Sequence, residues 1–301
     1  MLAEKAQIPS SSPLILTKVS SYIQFSKFRL ASLVVFSAVI TFVVASEGNY
    51  TGIQLWWLTV GGFLVTAASN GYNQVIEKDL DKLMERTKTR PLPTGKMSVP
   101  EGIIVATLMG ATGVYVLAYY FNMLTGILGL LALVLYAAVY TPMKRKTPFA
   151  VFVGAFPGAM PPLIGWVAYS NNINIQGLTV FAVQFMWQFP HFWAIAWRLH
   201  DDYTKAGFKM LPSPGGRDKA SAFQILLYSL FLIPVSLLPG AFLLSGMFYT
   251  IVAIIAGSYF AYQAYTLFTK LDNSSATKLM FGSFFYLPIV QIALLIDYYL
   301  K

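Results

Sequence analysis

The feature that most constrains this chain is a series of apolar stretches, each about 20 residues long, which is the length needed to cross a bilayer as an α-helix. We expect helices because backbone polar groups cannot go unpaired in lipid, and a helix pairs them within one segment. The 301 residues are 56% hydrophobic and 11% charged, whereas soluble domains carry about 25% charged residues. We therefore expect an all-α, polytopic membrane protein. Nine stretches are long enough to span, at residues 28–46, 53–72, 101–120, 123–141, 149–169, 177–197, 222–242, 247–268 and 278–298.

The basic residues support this count. With the N-terminus in the cytoplasm, all but Lys301 of the 21 Lys and Arg residues fall in the tail or in loops two, four, six and eight. Cytoplasmic loops carry such an excess of Lys and Arg. The pattern favours nine spans with an external C-terminus. It also accounts for the net charge of +9 without a nucleic-acid partner.

Residues 1–27 are polar and mixed, and they lack the apolar core and cleavage site of a signal peptide. We expect a short cytoplasmic tail there, followed by a single transmembrane domain over residues 28–300. A bacterial plasma membrane fits this tail, and the mitochondrial inner membrane is the alternative. The chain has no Cys, which excludes disulfides, thiolate metal sites and c-type haem attachment.

Charged residues concentrate in the second loop, NGYNQVIEKDLDKLMERTKTRPLPTG, over residues 70–95. Asn73, Glu77 and Asp81 recur every fourth residue, a spacing that stacks them on one face of a helix. One amide oxygen and two carboxylates suit a hard cation such as Mg²⁺, which is often shared with substrate phosphates. Three basic residues that can hold phosphate oxygens follow: Arg86, Lys88 and Arg90.

A solvated loop with surface ion pairs is the simpler interpretation of this segment. Two observations favour a site instead. The preceding helix is apolar up to about Ser69, so the ionisable groups begin at the membrane boundary, where they are rarely without function. The segment also ends in the turn-rich sequence RPLPTG, residues 90–95, which can fold back over the site.

The spacing Asn73-xxx-Glu77-xxx-Asp81 resembles the first aspartate-rich motif of the UbiA superfamily of intramembrane prenyltransferases. The string DLDKLMERTKTRPLPTG resembles the haem O synthase branch of that superfamily, as does HFWAIA…DDYTKAG…MLP at the sixth span. The middle motif position is often Asp in this family, and Glu77 keeps the charge with one more methylene. The resemblance covers roughly residues 25–300.

The resemblance implies a UbiA-type bundle and a Mg²⁺-dependent transferase. The farnesyl group of farnesyl diphosphate would pass to a vinyl group of protohaem IX (haem B), and addition of water would give haem O and diphosphate. Asn73, Glu77 and Asp81 would hold the metal and act in catalysis. Haem A synthase is a further possible partner.

The loop after the sixth span is a second candidate site. It lacks the DxxxD motif of many UbiA-type enzymes, because Lys205 stands four residues after Asp201. We expect either that Asp202 holds a metal through water and acts in catalysis, or that Lys205 and Lys209 bind diphosphate directly. An ordinary solvated loop is the alternative.

Three residues inside the sixth span are candidates for substrate contact: His191, Phe192 and Trp193. An imidazole in an apolar span must be hydrogen-bonded or liganded. His191 therefore either bonds a neighbouring helix or contacts the iron or a propionate of haem. The aromatic residues would line a chamber for the isoprenoid chain, and their faces stabilise cations.

Two other functions stay open on the sequence. One is a UbiA-type transferase with an aromatic quinone precursor as acceptor. The other is a membrane transporter, haem-handling protein or assembly scaffold without chemistry. A transporter should carry ionisable residues near the middle of the bilayer. Here they gather at one face, which favours an enzyme site at the interface.

Overall fold

The structure is a computed structural model that describes the backbone of residues 14–300 and the side chains of residues 18–300. Within that range all regular structure is helical. The first half forms α1 Leu14–Ser26, α2 Phe28–Ala45, α3 Gly52–Ile76, α4 Lys78–Asp81, α5 Val99–Tyr120, α6 Met123–Val134, a π-helical segment Leu135–Tyr140 and α7 Thr141–Met143. The second half forms α8 Ala150–Ser170, α9 Ile175–Arg198, α10 His200–Lys205, α11 Lys219–Ser236, α12 Leu238–Ala241, α13 Met247–Lys270 and α14 Asn273–Tyr299.

Eight helical segments within residues 14–300 are long and apolar enough to cross a membrane. One of them, Met123–Met143, joins α6, the π-helical segment and α7 into a single span. The predicted all-helical membrane fold is confirmed. The predicted count of nine exceeds these eight by α9, which has 24 residues but is more polar than the others. The predicted tail contains α1, and its first 13 residues lie outside the described range.

The polar side chains of α9 are paired with neighbouring helices. Gln184 Nε2 donates to Gly158 O at 2.8 Å, and Gln188 Nε2 donates to Ala155 O at 2.9 Å, both on α8. Gln291 of α14 donates to Gln184 Oε1 at 3.0 Å. Buried amides of this kind are stable only when hydrogen-bonded. The polarity of α9 therefore reflects a position inside the bundle, where protein carbonyls replace lipid as its surroundings.

The bundle has two main apolar cores that share α8. The first lies among α2, α3, α5, α6 and α8, with Phe42, Leu58 and Leu117 fully buried. The second lies among α8, α9, α11, α13 and α14, with Trp197 and Ile225 fully buried. The chain therefore packs as two groups of helices.

Close helix contacts depend on glycine, because lipid gives no hydrophobic driving force between helices and small residues let backbones approach. A Cβ at Gly113 of α5 would lie 2.8 Å from Val65 N of α3. A Cβ at Gly165 of α8 would lie 1.9 Å from Ala38 O of α2. Larger residues at either position would separate α3 from α5 or α2 from α8, and α3 carries the residues of the site.

Candidate active site

A cavity of about 180 Å³ lies where α3 ends, and most of the charged side chains predicted from the second loop face it. Its lining combines polar and aromatic groups from five separate parts of the chain. The lining residues are Lys27, Leu30, Asn73, Glu77, Asp81, Met84, Arg86, Arg90, Tyr136, Tyr140, Lys144, Phe192, Ile195, Tyr203, Phe208 and Met210.

Asn73, Glu77 and Asp81 all line the cavity, although the helix that carries them is interrupted. α3 ends at Ile76, and Glu77 has φ −94° and ψ 8° before α4 begins. The hydrogen bonds of a helix persist across this break, since Glu77 N donates to Asn73 O at 3.0 Å and Asp81 N donates to Glu77 O at 2.7 Å. The spacing of four residues therefore still brings the three side chains to the same side of the helix.

Asp81 is fully buried and paired with Arg90. Arg90 Nη1 lies 2.9 Å from Asp81 Oδ1 and 2.7 Å from Oδ2. Thr87 Oγ1 donates to Asp81 O at 2.9 Å, which folds the loop back toward α4. Burial raises the pKa of the Asp81 carboxyl, and Arg90 offsets only part of that rise. Further positive charge would therefore stabilise the carboxylate.

Glu77 pairs with Lys144, a residue that follows α7. Lys144 Nζ lies 3.0 Å from Glu77 Oε1, and both side chains are almost inaccessible to solvent. The Tyr140 ring lies 4.7 Å from the same nitrogen. Burial lowers the pKa of Lys144, but the Glu77 carboxylate and the adjacent tyrosines outweigh burial, so the net shift is upward. Lys144 therefore stays protonated at neutral pH.

The π-helical segment shapes the opposite wall. Tyr136 and Tyr140 of this segment both line the cavity. Thr141 Oγ1 donates to Tyr136 O at 2.8 Å and in turn accepts from Asn73 Nδ2 at 3.3 Å. The amide nitrogen of Asn73 is thus engaged, and its oxygen is the atom left to meet a ligand. Single π turns occur frequently at functional sites.

Asp202 connects the two loops and lies outside the cavity lining. Its Oδ1 accepts from Glu85 N at 3.2 Å, and its Oδ2 accepts from Arg86 N at 3.3 Å. Lys205 Nζ lies 3.6 Å from the same carboxylate. The carboxylate therefore holds the backbone of loop two. Its predicted catalytic role stays a prediction.

Three of the lysines and arginines predicted to bind diphosphate do not reach the cavity. Lys88 pairs with Glu85 and is half exposed, as is Lys205. Lys209 is exposed, and its backbone N–H donates to Lys144 O at 2.7 Å. Arg86 and Arg90 do line the cavity. Of the five basic residues predicted to bind diphosphate, the structure thus brings Arg86 and Arg90 to the cavity.

Of the three candidates on α9, Phe192 lines the cavity and the other two face other helices. His191 Nδ1 lies 2.7 Å from Ser283 Oγ of α14, and its ring stacks on Trp187 with centroids 4.3 Å apart. Trp193 is buried, and its ring lies 5.0 Å from that of Tyr228. His191 has the bond to a neighbouring helix that was one of its two expected states. Its contact with haem stays a prediction.

The sequence reasoning did not assign Lys27, Tyr136, Tyr140, Lys144 or Tyr203 to the site. One local signal was available for three of them, because Tyr136, Tyr140 and Lys144 recur every fourth residue, as in the first motif, at the end of the fourth span. Lys27 and Tyr203 carry no such signal, since they reach the cavity only through packing of distant segments.

The lining offers a limited set of oxygen ligands for a metal. Among the described residues no group of three or more His, Asp or Glu side chains is arranged to hold an ion. Asn73, Glu77 and Asp81 supply one amide oxygen and two carboxylates. That set fits Mg²⁺, which is usually bound through one or two carboxylates together with waters and substrate phosphates. The ion would share the carboxylates with Arg90 and Lys144.

The chain is similar to a known protein family and to individual proteins of that family. The UbiA prenyltransferase family matches residues 34–288. A protein of Cytophaga hutchinsonii named protoheme IX farnesyltransferase is 44% identical over 281 residues, which cover 93% of this chain and 98% of that protein. A protein of the same name from Flavobacterium psychrophilum is 43% identical, over 96% of this chain and 98% of that protein.

Two solved structures have the same fold. Digeranylgeranylglyceryl phosphate synthase superposes with a TM-score of 0.79 at 17% identity, over 94% of this chain and 99% of its own. A UbiA homolog from Archaeoglobus fulgidus, bound to GPP and Mg²⁺, superposes with a TM-score of 0.67 at 16% identity, over 91% of this chain and 99% of its own. At these identities the likeness concerns the fold alone. The family match and the two full-length relatives establish that the chain belongs to the UbiA prenyltransferase family, in its protohaem IX farnesyltransferase branch.

Proposed function

We propose that the protein transfers the farnesyl group of farnesyl diphosphate to a vinyl group of protohaem IX (haem B), with addition of water, and releases haem O and diphosphate. The observation that carries this proposal is 44% identity, over 93% of the chain, to a protein named protoheme IX farnesyltransferase. The cavity supports it, because basic side chains suited to an anion and aromatic rings suited to a cation line the same space.

We assign the diphosphate of the donor to the polar wall of the cavity. Arg86, Arg90 and Lys144 would supply positive charge to its oxygens. Asn73, Glu77 and Asp81 would hold Mg²⁺. When bound, the ion would offset negative charge on the diphosphate oxygens. A protein of the same fold solved with GPP and Mg²⁺ supports a prenyl diphosphate and Mg²⁺ as the ligands, whereas the residues are assigned from the cavity lining.

In the proposed reaction the bond between C1 of the farnesyl group and the diphosphate oxygen breaks, and its electron pair leaves with the diphosphate. The cationic side chains stabilise that departing charge. The rings of Tyr136, Tyr140 and Phe192 line the cavity and stabilise positive charge at C1. The π electrons of the vinyl group form the new carbon–carbon bond. A water oxygen then bonds to the resulting cation and releases one proton.

The size of the cavity limits what it holds. Its volume of about 180 Å³ lies below the roughly 300–1,000 Å³ of ordinary ligand pockets. It therefore accommodates the diphosphate end of the donor, and the isoprenoid chain and the porphyrin need space that opens between the surrounding helices. This agrees with an acceptor and a donor that both partition into lipid.

We further propose that the protein lies in a bacterial plasma membrane with its N-terminus in the cytoplasm. The relatives from Cytophaga hutchinsonii and Flavobacterium psychrophilum are bacterial, and the basic residues that line the cavity come from the loops assigned to the cytoplasmic side. Farnesyl diphosphate and haem B would then reach the site from that side.

The proposed function is tested by product analysis. Purified protein in detergent is incubated with haem B and farnesyl diphosphate, with Mg²⁺ or with EDTA, and the haems are identified by mass. We expect a farnesylated, hydrated haem with Mg²⁺ and none with EDTA.

Three results would contradict all or part of the proposal. Transfer to an aromatic acid, with no haem product, would assign the protein to another acceptor class within the same family. No transfer to any acceptor would favour a transporter or a scaffold. Equal product formation with Mg²⁺ and with EDTA would show that the protein transfers the farnesyl group without a metal.

A further inference from the structure

Lys27 is a cavity residue that the proposed reaction does not yet use. It lies between α1 and α2, with φ 50° and ψ 54°. This left-handed conformation is uncommon for a residue other than glycine, and such outliers occur at functional sites. Its side chain is among those that line the cavity.

Side chains of α3 fix the turn at Lys27. Gln74 Nε2 donates to Phe25 O at 2.7 Å, and Asn70 Nδ2 donates to Ser26 O at 3.4 Å. The Phe25 ring is fully buried against Gly71, where an added Cβ would lie 2.6 Å from the ring. α1 is therefore attached to the same helix that carries the first motif.

Charge distinguishes Lys27 from the other cations of the cavity. Arg90 and Lys144 each pair with a carboxylate, and Arg86 is exposed to solvent. The Lys27 side chain is only partly accessible and forms no hydrogen bond or ion pair among residues 18–300, although the backbone N–H donates to Gln24 O at 3.2 Å. Burial, together with the nearby Arg90 and Lys144, holds the pKa of Lys27 well below its ordinary value. A partly buried ammonium group beside other cations is unfavourable until an anion joins it.

We propose that Lys27 binds an anionic oxygen group of a substrate in this cavity. The inference rests on the proposed function, in which two such groups enter: the diphosphate of the donor and the carboxylates of the porphyrin. Four cationic and two anionic side chains of the described residues line the cavity, so a ligand with several negative oxygens would compensate the excess positive charge. Asn70 and Gln74 would act as positioning residues, through the turn that they hold.

The test compares three variants with the wild type. Lys27→Asn removes the charge and keeps a residue type that tolerates the left-handed region. Lys27→Arg keeps the charge. Arg29→Gln is the matched control, because Arg29 is exposed, lies two positions further on and is outside the cavity lining. Binding of inorganic diphosphate is measured by calorimetry in the presence of Mg²⁺. Binding of iron protoporphyrin IX and of its dimethyl ester is measured by absorbance.

We expect Lys27→Asn to bind one of these anions about 10- to 100-fold more weakly, the range for a lost hydrogen bond to a charged group. Lys27→Arg should regain most of that affinity, and Arg29→Gln should bind as the wild type does. Weaker binding of diphosphate assigns Lys27 to the donor. Weaker binding of the porphyrin, together with equal binding of its dimethyl ester by wild type and variant, assigns Lys27 to the acceptor.

Thermal unfolding without ligand separates binding from a structural role. The unfolding temperature of Lys27→Asn should equal or exceed that of the wild type, because an unpaired cation has been removed. Wild-type affinity of Lys27→Asn for both anions would overturn the proposal, as would a lowered unfolding temperature with unchanged binding. A wild-type protein that binds diphosphate but neither binds nor modifies haem would refute the proposed function, and the diphosphate comparison would still decide the role of Lys27.

Discussion

Asp81 is the residue at which burial and charge most strongly require a cation. It is fully buried and already bonded to Arg90, and a metal would add the positive charge that desolvation demands. Replacement by Asn keeps the shape and removes the charge. We expect Asp81→Asn to lower farnesyl transfer by about 100-fold, the effect of losing one electrostatic contact in a transition state, and to weaken Mg²⁺ binding in calorimetry.

The chain offers a matched control for that variant. Asp79 lies two residues earlier, is largely exposed and pairs with Lys82. Asp79→Asn should therefore retain transfer and metal affinity. Equal activity of Asp81→Asn and the wild type would show that the carboxylate does not act in the reaction.

The Glu77–Lys144 pair allows stability and activity to be separated. Lys144→Met would leave Glu77 buried without its cation, which should destabilise the protein by about 3 kcal/mol. The double variant Glu77→Gln/Lys144→Met removes both charges and should recover most of that loss in thermal unfolding. Transfer should stay low in both variants, because both charges face the cavity. If the double variant were no more stable than Lys144→Met alone, the ion pair would not be the source of the effect.

At the residue scale, the sequence predicted which side chains lie together when those residues are close in the chain and on one helix face. Asn73, Glu77 and Asp81 are four residues apart, so any helical conformation brings them to one face. Lys27 and Lys144 are separated from them by about 50 and 67 residues, and no local pattern states which distant helix end they meet. Lys205 and Lys209 show the opposite case, since their charge was visible but their distance from the cavity was not.

At the scale of elements, the loop after α4 and helix α10 act as one unit through Asp202. Burial raises the pKa of Asp202, but N–H donation from Glu85 and Arg86, together with Lys205, outweighs it, and the net pKa lies below its ordinary value. Asp202→Ala should loosen loop two and lower kcat/KM about tenfold, with Mg²⁺ affinity unchanged. Faster amide hydrogen exchange at residues 85–86 would identify the cause.

The pH dependence of this connection follows from the same shift. A carboxyl whose pKa is lowered on folding contributes stability above its unfolded pKa and loses it as the pH falls through the folded value. The protection of residues 85–86 in the wild type should therefore persist into acid below the ordinary Asp range. Loss of that protection near neutral pH would contradict the role given to Asp202.

The π-helical segment is a feature of the fourth span that sequence analysis did not predict. The span at residues 123–141 was predicted from its apolar length, and the structure gives Met123–Met143. The π-helical turn at Leu135–Tyr140 was not predicted, because the apolar length and the composition of a span are the same whether a turn is α-helical or π-helical. Yet Tyr136 and Tyr140 of that turn line the cavity, and Thr141, which follows it, accepts the hydrogen bond from Asn73.

At the scale of the whole molecule, the fold gathers the ends of distant helices into one site. Loops two, four and six all contribute to the cavity or to its connections, and these are the loops that the basic residues assigned to one side of the membrane. Some of the basic residues that predict the orientation of the chain in the membrane therefore also line the cavity. Arg90 and Lys144, which are among the basic residues that predict this orientation, also pair with the buried carboxylates that face the cavity.

Because basic residues that predict the orientation also line the cavity, the membrane topology tests the position of the site. The sequence has no Cys, so a maleimide labels only a Cys that has been introduced. Thr89→Cys lies in loop two, and Asn172→Cys lies in the turn between α8 and α9; both positions are exposed. With the N-terminus in the cytoplasm, a membrane-impermeant maleimide added to intact spheroplasts should label Asn172→Cys and leave Thr89→Cys unlabelled until the membrane is broken. The reverse pattern would place the cavity on the external side, where neither farnesyl diphosphate nor haem B made in the cytoplasm could reach it directly. Labelling of both positions in intact spheroplasts would show that the bundle does not insert with a single orientation.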